Sequence, residues 1–79
     1  MRFAKSADRH HVSHLDAIWV IENATTVLEL QEDPRRRMFI GFDTVGRPRE
    51  VVVQYRDGYQ GEPVCIHADT LTRSYYGFL

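Results

Sequence analysis

The sequence predicts an α+β domain: two N-terminal helices packed on one face of a four-stranded antiparallel sheet, followed by a short C-terminal helix or tail. Three observations predict it. Apolar residues recur at helical spacing before about residue 25 and at alternate positions after it. A Ser-x-x-acid start signal, Ser13 with Asp16, opens the helical stretch. Turn residues then divide the second half into strand-length pieces.

Residues 3–11 contain few strand formers and neither Gly nor Pro, and read as a first helix. Ser13 as cap and Asp16 in the first turn start a second helix over 14–24, with Leu15, Ile18, Trp19 and Ile21 as its apolar stripe. Beyond Thr25, Leu28 and Leu30 alternate with Glu29 and Gln31, and Met38, Ile40 and Phe42 with Arg37, Gly41 and Asp43. Pro34 marks a turn between Glu32-Asp33 and Arg35-Arg36-Arg37. Residues 44–48 form a turn, 50–56 a third strand, 57–63 a longer connection and 64–68 a fourth strand. Residues 73–79 form the terminal helix or tail.

A chain of 79 residues, 43% apolar and 27% charged, is one folded domain over 1–79 and not a disordered tail. Its charge of −1 gives no global basic field to attract nucleic acid. The single cysteine, Cys65, excludes an internal disulfide framework and fits a reducing compartment. No apolar run approaches the ~20 residues of a membrane span, and the first residues lack a signal core. The expectation is a soluble cytoplasmic protein with no membrane partner.

Alternation sorts the strand residues into faces. Val51, Val53 and Tyr55 oppose Glu50, Val52, Gln54 and Arg56; Val64, Ile66 and Ala68 oppose Cys65, His67 and Asp69; Met38, Ile40 and Phe42 oppose Arg37, Phe39 and Gly41. With apolar sets placed under the helices, the open face carries Arg37, Phe39, Glu50, Gln54, Arg56, Cys65 and His67. Arg73, Tyr75 and Tyr76 can fold over one edge. The bland alternative is that an open antiparallel face is polar because it touches water.

Three stretches, taken in order, resemble the BrnT-like toxins. The segment from Asp8 through His10-His11-Val12-Ser13 to Ala17 is similar to their KHGVSFEDA helix junction, with His11 in place of the glycine. Phe39-Ile40-Gly41-Phe42-Asp43 through Gly46-Arg47 to Val51-Val52-Val53 resembles their IGxDxxGRxxxVVV hairpin. Ile66-His67-Ala68 followed by Thr72-Arg73-Ser74-Tyr75 looks like their last strand and the basic, aromatic segment after it. The resemblance implies the RelE/ParE superfamily of type II toxins and an α+β fold with a sheet cleft. It also implies a ribonuclease held inactive in a hetero-oligomer with a cognate antitoxin.

Metal-independent RNA cleavage requires a base for the 2′-hydroxyl, charge on the crowded phosphate and an acid for the leaving oxygen. His67 can fill either proton role, since imidazoles ordinarily titrate near neutrality. Arg56 and Arg73 can supply guanidinium charge, Tyr75 can stack or join the proton transfers, and Glu50 is an alternative base. Arg35, Arg36 and Arg37 could track RNA phosphates, with Phe39 stacking on a base; a solvated turn is the plainer role for the arginines. His10 and His14 stand four apart, as metal-binding pairs on helices do. The break at Val12-Ser13 and the want of a third ligand beyond Asp16 make packing between two helices their expected role. No metal or cofactor is expected, and a Cys65 nucleophile is a minor alternative. The expected partners are an antitoxin and RNA, free or on the ribosome. Two rivals stand beside the ribonuclease: an inactive toxin-fold module that binds protein, and a ParE-like topoisomerase poison.

Overall fold

In this computed structural model, which describes residues 1–56 and 61–79, one mixed sheet carries one α-helix among the described residues. The order is strand β1 (Arg2–Phe3), a 3-10 turn (Lys5–Asp8), helix α1 (His14–Glu22), β2 (Thr26–Glu32), β3 (Arg35–Phe42), β4 (Pro48–Tyr55), β5 (Val64–Thr70) and a 3-10 segment (Arg73–Phe78). The five strands lie in the order β1-β5-β4-β3-β2. Neighbours are antiparallel except β1, which runs parallel to β5.

This architecture corrects the expected layout of two helices on a four-stranded antiparallel sheet. The stretch expected to form the first helix is instead the end of β1, a 3-10 turn and a further turn at Arg9-His10. Two residues are too few for alternation to reveal a strand; β1 exists because Arg2 N–H donates to the Pro63 carbonyl at 3.2 Å and Ala4 N–H to Cys65 at 2.9 Å. Of the expected connection over 57–63, residues 57–60 lie outside the described residues.

Ser13 caps α1, accepting from Asp16 N–H at 3.1 Å. The helix stripe differs from the expected one. Ala17 and Val20 are buried, with Ile21 and Ala24 packed beside them, while Leu15 is 79% and Trp19 48% exposed. Close approach explains the exchange. A Cβ added at Gly41 would lie 3.2 Å from the Ala24 Cα, so the chain leaving the helix almost touches β3 and draws the Ala17, Val20, Ile21 side of α1 onto the sheet.

Both faces of the sheet are covered. Under α1 and the N-terminal turn lie Phe39, Val51, Val53, Cys65 and Ala68 with Ala7, Val12, Ala17 and Val20. On the opposite face Met38, Ile40, Val52 and Leu71 pack with Leu28, Ile66 and Tyr75. The C-terminal segment closes this second core, and the Thr25 and Thr26 hydroxyls donate to the Phe78 carbonyl at 3.0 and 2.7 Å. Phe39 therefore points under the helix and is buried, the reverse of its expected place on an open face. Alternation separates the two sets of β3 correctly but does not say which set lies beneath the helix, because both are largely apolar.

A bulge in β5 breaks the alternation expected there. Val52 pairs with His67 but Val53 pairs with Cys65, so Ile66 is inserted. Cys65 and Ala68 consequently join the helix-side core, whereas His67 lies across from Val52 on the other face.

The β3–β4 turn is built around Asp43, a buried carboxylate that accepts from the backbone N–H of Val45 and Arg47 and from Arg49 Nε at 3.0, 2.9 and 3.0 Å. Gly46, at φ 85°, supplies the left-handed residue of the turn. Asp16 clamps this turn to α1, accepting from Thr44 N–H and Oγ1. Burial alone would raise the Asp43 carboxyl, but the donors from Arg47, Arg49 and Val45 hold it below its ordinary value. A folded-state value below the unfolded one gives stability that is complete above about pH 4 and lost as pH falls further. Asp43→Asn should cost ~1–3 kcal/mol at neutral pH in urea unfolding, and its midpoint should fall less steeply than wild type below about pH 4.

His11 adopts φ 61°, the left-handed conformation that glycine enters freely and other residues rarely do. This is the position at which the resembling junction carries glycine. His11→Gly should leave the fold intact and raise stability by up to ~1 kcal/mol, measured by the shift of the urea midpoint.

Candidate functional site

The second face of the sheet brings a carboxylate and an imidazole together where β4 and β5 pair. Glu50 is buried, with 6% of its surface exposed. Its Oε2 lies 2.9 Å from His67 Nε2, and its Oε1 accepts from the Thr72 N–H and hydroxyl, each at 2.7 Å. An ionised carboxylate only accepts, so Nε2 carries the hydrogen and Nδ1 is the nitrogen left for other work. The His67 side chain is 32% exposed, so this nitrogen belongs to a ring that solvent can reach. The bulge at Ile66 is what aims the ring to this face.

A third group joins from the N-terminal turn. The rings of His10 and His67 stand 5.6 Å apart between centroids, nearly perpendicular. His10 Nε2 in turn lies 3.6 Å from Asp69 Oδ2, an ion pair when the ring is protonated. His10 was expected to pack between helices, and no motif marked it for this place. Its position depends on the turn over residues 5–11 folding back on β5, where the Ser6 hydroxyl donates to the Ile66 carbonyl. His14, by contrast, stacks on Phe3 at 3.7 Å and pairs with Asp8 at 2.6 Å. The two histidines of the apparent metal spacing thus go to different partners. Among the described residues, no group of three or more His, Cys, Asp or Glu is placed to hold a metal ion.

The other candidates are distributed unevenly. Arg73 is exposed and follows Thr72, so its Cα lies about 3.8 Å beyond a residue bonded to Glu50. Tyr75 is half-buried and packs on the second core near Phe78, holding the C-terminal segment down. Arg56 is exposed just past β4, about 13 Å along the strand direction from Val52, the partner of His67. It does not join the group around His67.

Arg35, Arg36 and Arg37 lie within β3 rather than in a turn. Alternation sends them to opposite faces: Arg36 Nε donates to Gln54 at 2.8 Å, while Arg37 pairs with Glu29 at 2.6 Å and lies over the Tyr55 ring. The run is therefore not one basic track. Phe39, buried under α1, has no face to offer a base.

Cys65 also turns away from His67. Burial pushes its thiol up to about 11, and its Sγ–H donates to the His67 carbonyl at 3.6 Å. The bulge explains why two residues expected on one face lie on opposite ones.

No protein-family model, curated protein or solved structure matches the chain. No helix among the described residues is long and apolar enough to cross a membrane. Cys65 should react with a chromogenic disulfide reagent at neutral pH at least ~100-fold more slowly in the native protein than in urea, measured by the absorbance of the released thiolate.

Proposed function

We propose that the chain is a small endoribonuclease, the toxin of a type II toxin–antitoxin pair, with His67 as its proton-transfer group. The observation that carries this reading is the Glu50–His67 pair, in which a buried carboxylate with three hydrogen bonds orients a partly exposed imidazole. Nδ1, the ring nitrogen turned away from Glu50, can take the proton of a ribose 2′-hydroxyl, and the Glu50 carboxylate stabilises the imidazolium that forms. Arg73, exposed and next in sequence to the Thr72 that holds Glu50, supplies a guanidinium to meet the phosphate.

The toxin assignment rests on the three motifs resembling BrnT-like proteins, and the glycine-type backbone at His11 supports the first of them. In this reading the cleavage is metal-independent. The setting is the cytoplasm, where Cys65 stays reduced, and the partner is a cognate antitoxin that covers the site in a hetero-oligomer.

A second reading, a protein-binding module without catalysis, is favoured by one observation. Leu15 and Trp19, four residues apart on α1, form an exposed apolar pair.

Incubation of the purified protein with RNA decides between the readings. The expected result is cleavage unaffected by a chelator, yielding 2′,3′-cyclic phosphate ends. His67→Ala should lower the rate about 10²–10⁴-fold, and Glu50→Gln should do so comparably by presenting the wrong hydrogen-bond pattern to Nε2. Intact RNA at high protein concentration would leave only the binding module.

A further inference from the structure

We infer that His10 is the second proton-transfer residue of this site, the acid that protonates the leaving 5′-oxygen while His67 acts as base. The inference rests on the ribonuclease reading and adds to it a residue and a division of labour.

The geometry supplies four arguments. The two imidazoles come from separate parts of the chain, the loop after Lys5–Asp8 and the middle of β5, yet their rings meet at 5.6 Å. Each is partly open to solvent, His10 at 38% and His67 at 32% of the side chain. A proton-transferring nitrogen must come within ~2.6–3.2 Å of its oxygen. The rings are in edge-to-face contact, so a phosphodiester lying across the pair, not between its members, can reach both.

Each ring also has its own carboxylate, and the two contacts differ in length and burial. Glu50 holds His67 by a hydrogen bond at 2.9 Å, which sets the tautomer and leaves Nδ1 as a lone-pair acceptor. Asp69 faces His10 at 3.6 Å, a contact that is attractive when His10 carries its proton. Glu50, tied also to the Thr72 N–H and hydroxyl, fixes the His67 ring with Nδ1 as the acceptor a base needs, and His10 supplies the remaining acid. Among the described residues, the charged groups in contact with the pair are Glu50 on β4 and Asp69 on β5.

The reaction balances with these two groups alone. His67 Nδ1 takes the 2′-hydroxyl proton, and the freed electron pair forms the 2′-O–P bond. The P–O5′ bond breaks with its electron pair passing to the 5′-oxygen, which takes a proton from the His10 imidazolium. The products are a 2′,3′-cyclic phosphate and a 5′-hydroxyl. The protein is left with His67 protonated and His10 neutral, and proton exchange with water restores the starting state.

An oligoribonucleotide with sulfur in place of the bridging 5′-oxygen tests this directly, because a thiolate leaves without being protonated. With the ordinary oxygen substrate, His10→Ala and His10→Gln should each lose about 10²-fold or more. With the sulfur substrate the same variants should recover to within ~10-fold of wild type, while His67→Ala remains slow. Recovery also demonstrates that the His10 variants are folded. An equal deficit on both substrates, or no deficit on either, overturns the acid role of His10 and leaves the ribonuclease standing. Failure of the wild type to cleave either substrate overturns both.

Discussion

The Glu50 carboxylate is the contact on which the second face of this protein depends. It is buried and accepts three hydrogen bonds, with one oxygen on the β5 imidazole and the other on the residue that launches the C-terminal segment. A buried carboxylate without partners is costly, so its three donors are a condition of its being there at all. The same bonds bring the segment after Thr72 back over Met38, Ile40, Val52 and Leu71. Site and second core therefore share an anchor: what orients His67 also closes the sheet beneath Tyr75.

The site owes its facing to a single inserted residue. In an unbroken strand Cys65 and His67 would project together. Insertion of Ile66 turns Cys65 into the core under α1 and leaves His67 beside Val52 on the opposite side. A thiol that could have been a nucleophile becomes a packing group, while an imidazole that could have been buried becomes reachable. The N-terminal turn exploits the part of β5 that β1 does not cover. β1 pairs only with Val64 and Cys65, so the strand from His67 onward has an open edge where His10 can settle.

Some of this was legible in the residues alone. Ser13 and Asp16 announce the start of α1 because capping is a local interaction with a short-range signature. Glu50 and His67 could be assigned to a common face because β4 keeps strict alternation and the misassigned Cys65 lies on the other side of the bulge. Three features were beyond such reasoning. Which face of β3 lies under the helix depends on tertiary packing, since Met38, Ile40 and Phe39 are equally willing to be buried. The helix stripe is ambiguous in the residues because Leu15 and Trp19 on one side compete with Val20 and Ile21 on the other, and the approach of the chain to β3 decides which side is buried. That approach occurs where Gly41 meets Ala24. His10 reaches its neighbours through a turn and a long-range contact, neither of which has a period.

The distribution of charge also constrains how such a site could meet RNA. The arginine run is spent inside the sheet, with Arg36 on Gln54 and Arg37 on Glu29. Around the imidazole pair stand two carboxylates, Glu50 and Asp69, which repel a phosphate. Positive charge at the site must come from the imidazoles when protonated and from Arg9 and Arg73, both exposed and next in sequence to His10 and Thr72. Binding on these terms relies on few phosphate contacts, so it should be weak and only shallowly dependent on salt, unlike that of a basic nucleic-acid-binding domain. A chain with net charge −1 offers a phosphate little attraction at a distance, so any such binding would have to rest on the local fit to the exposed edges of the two rings.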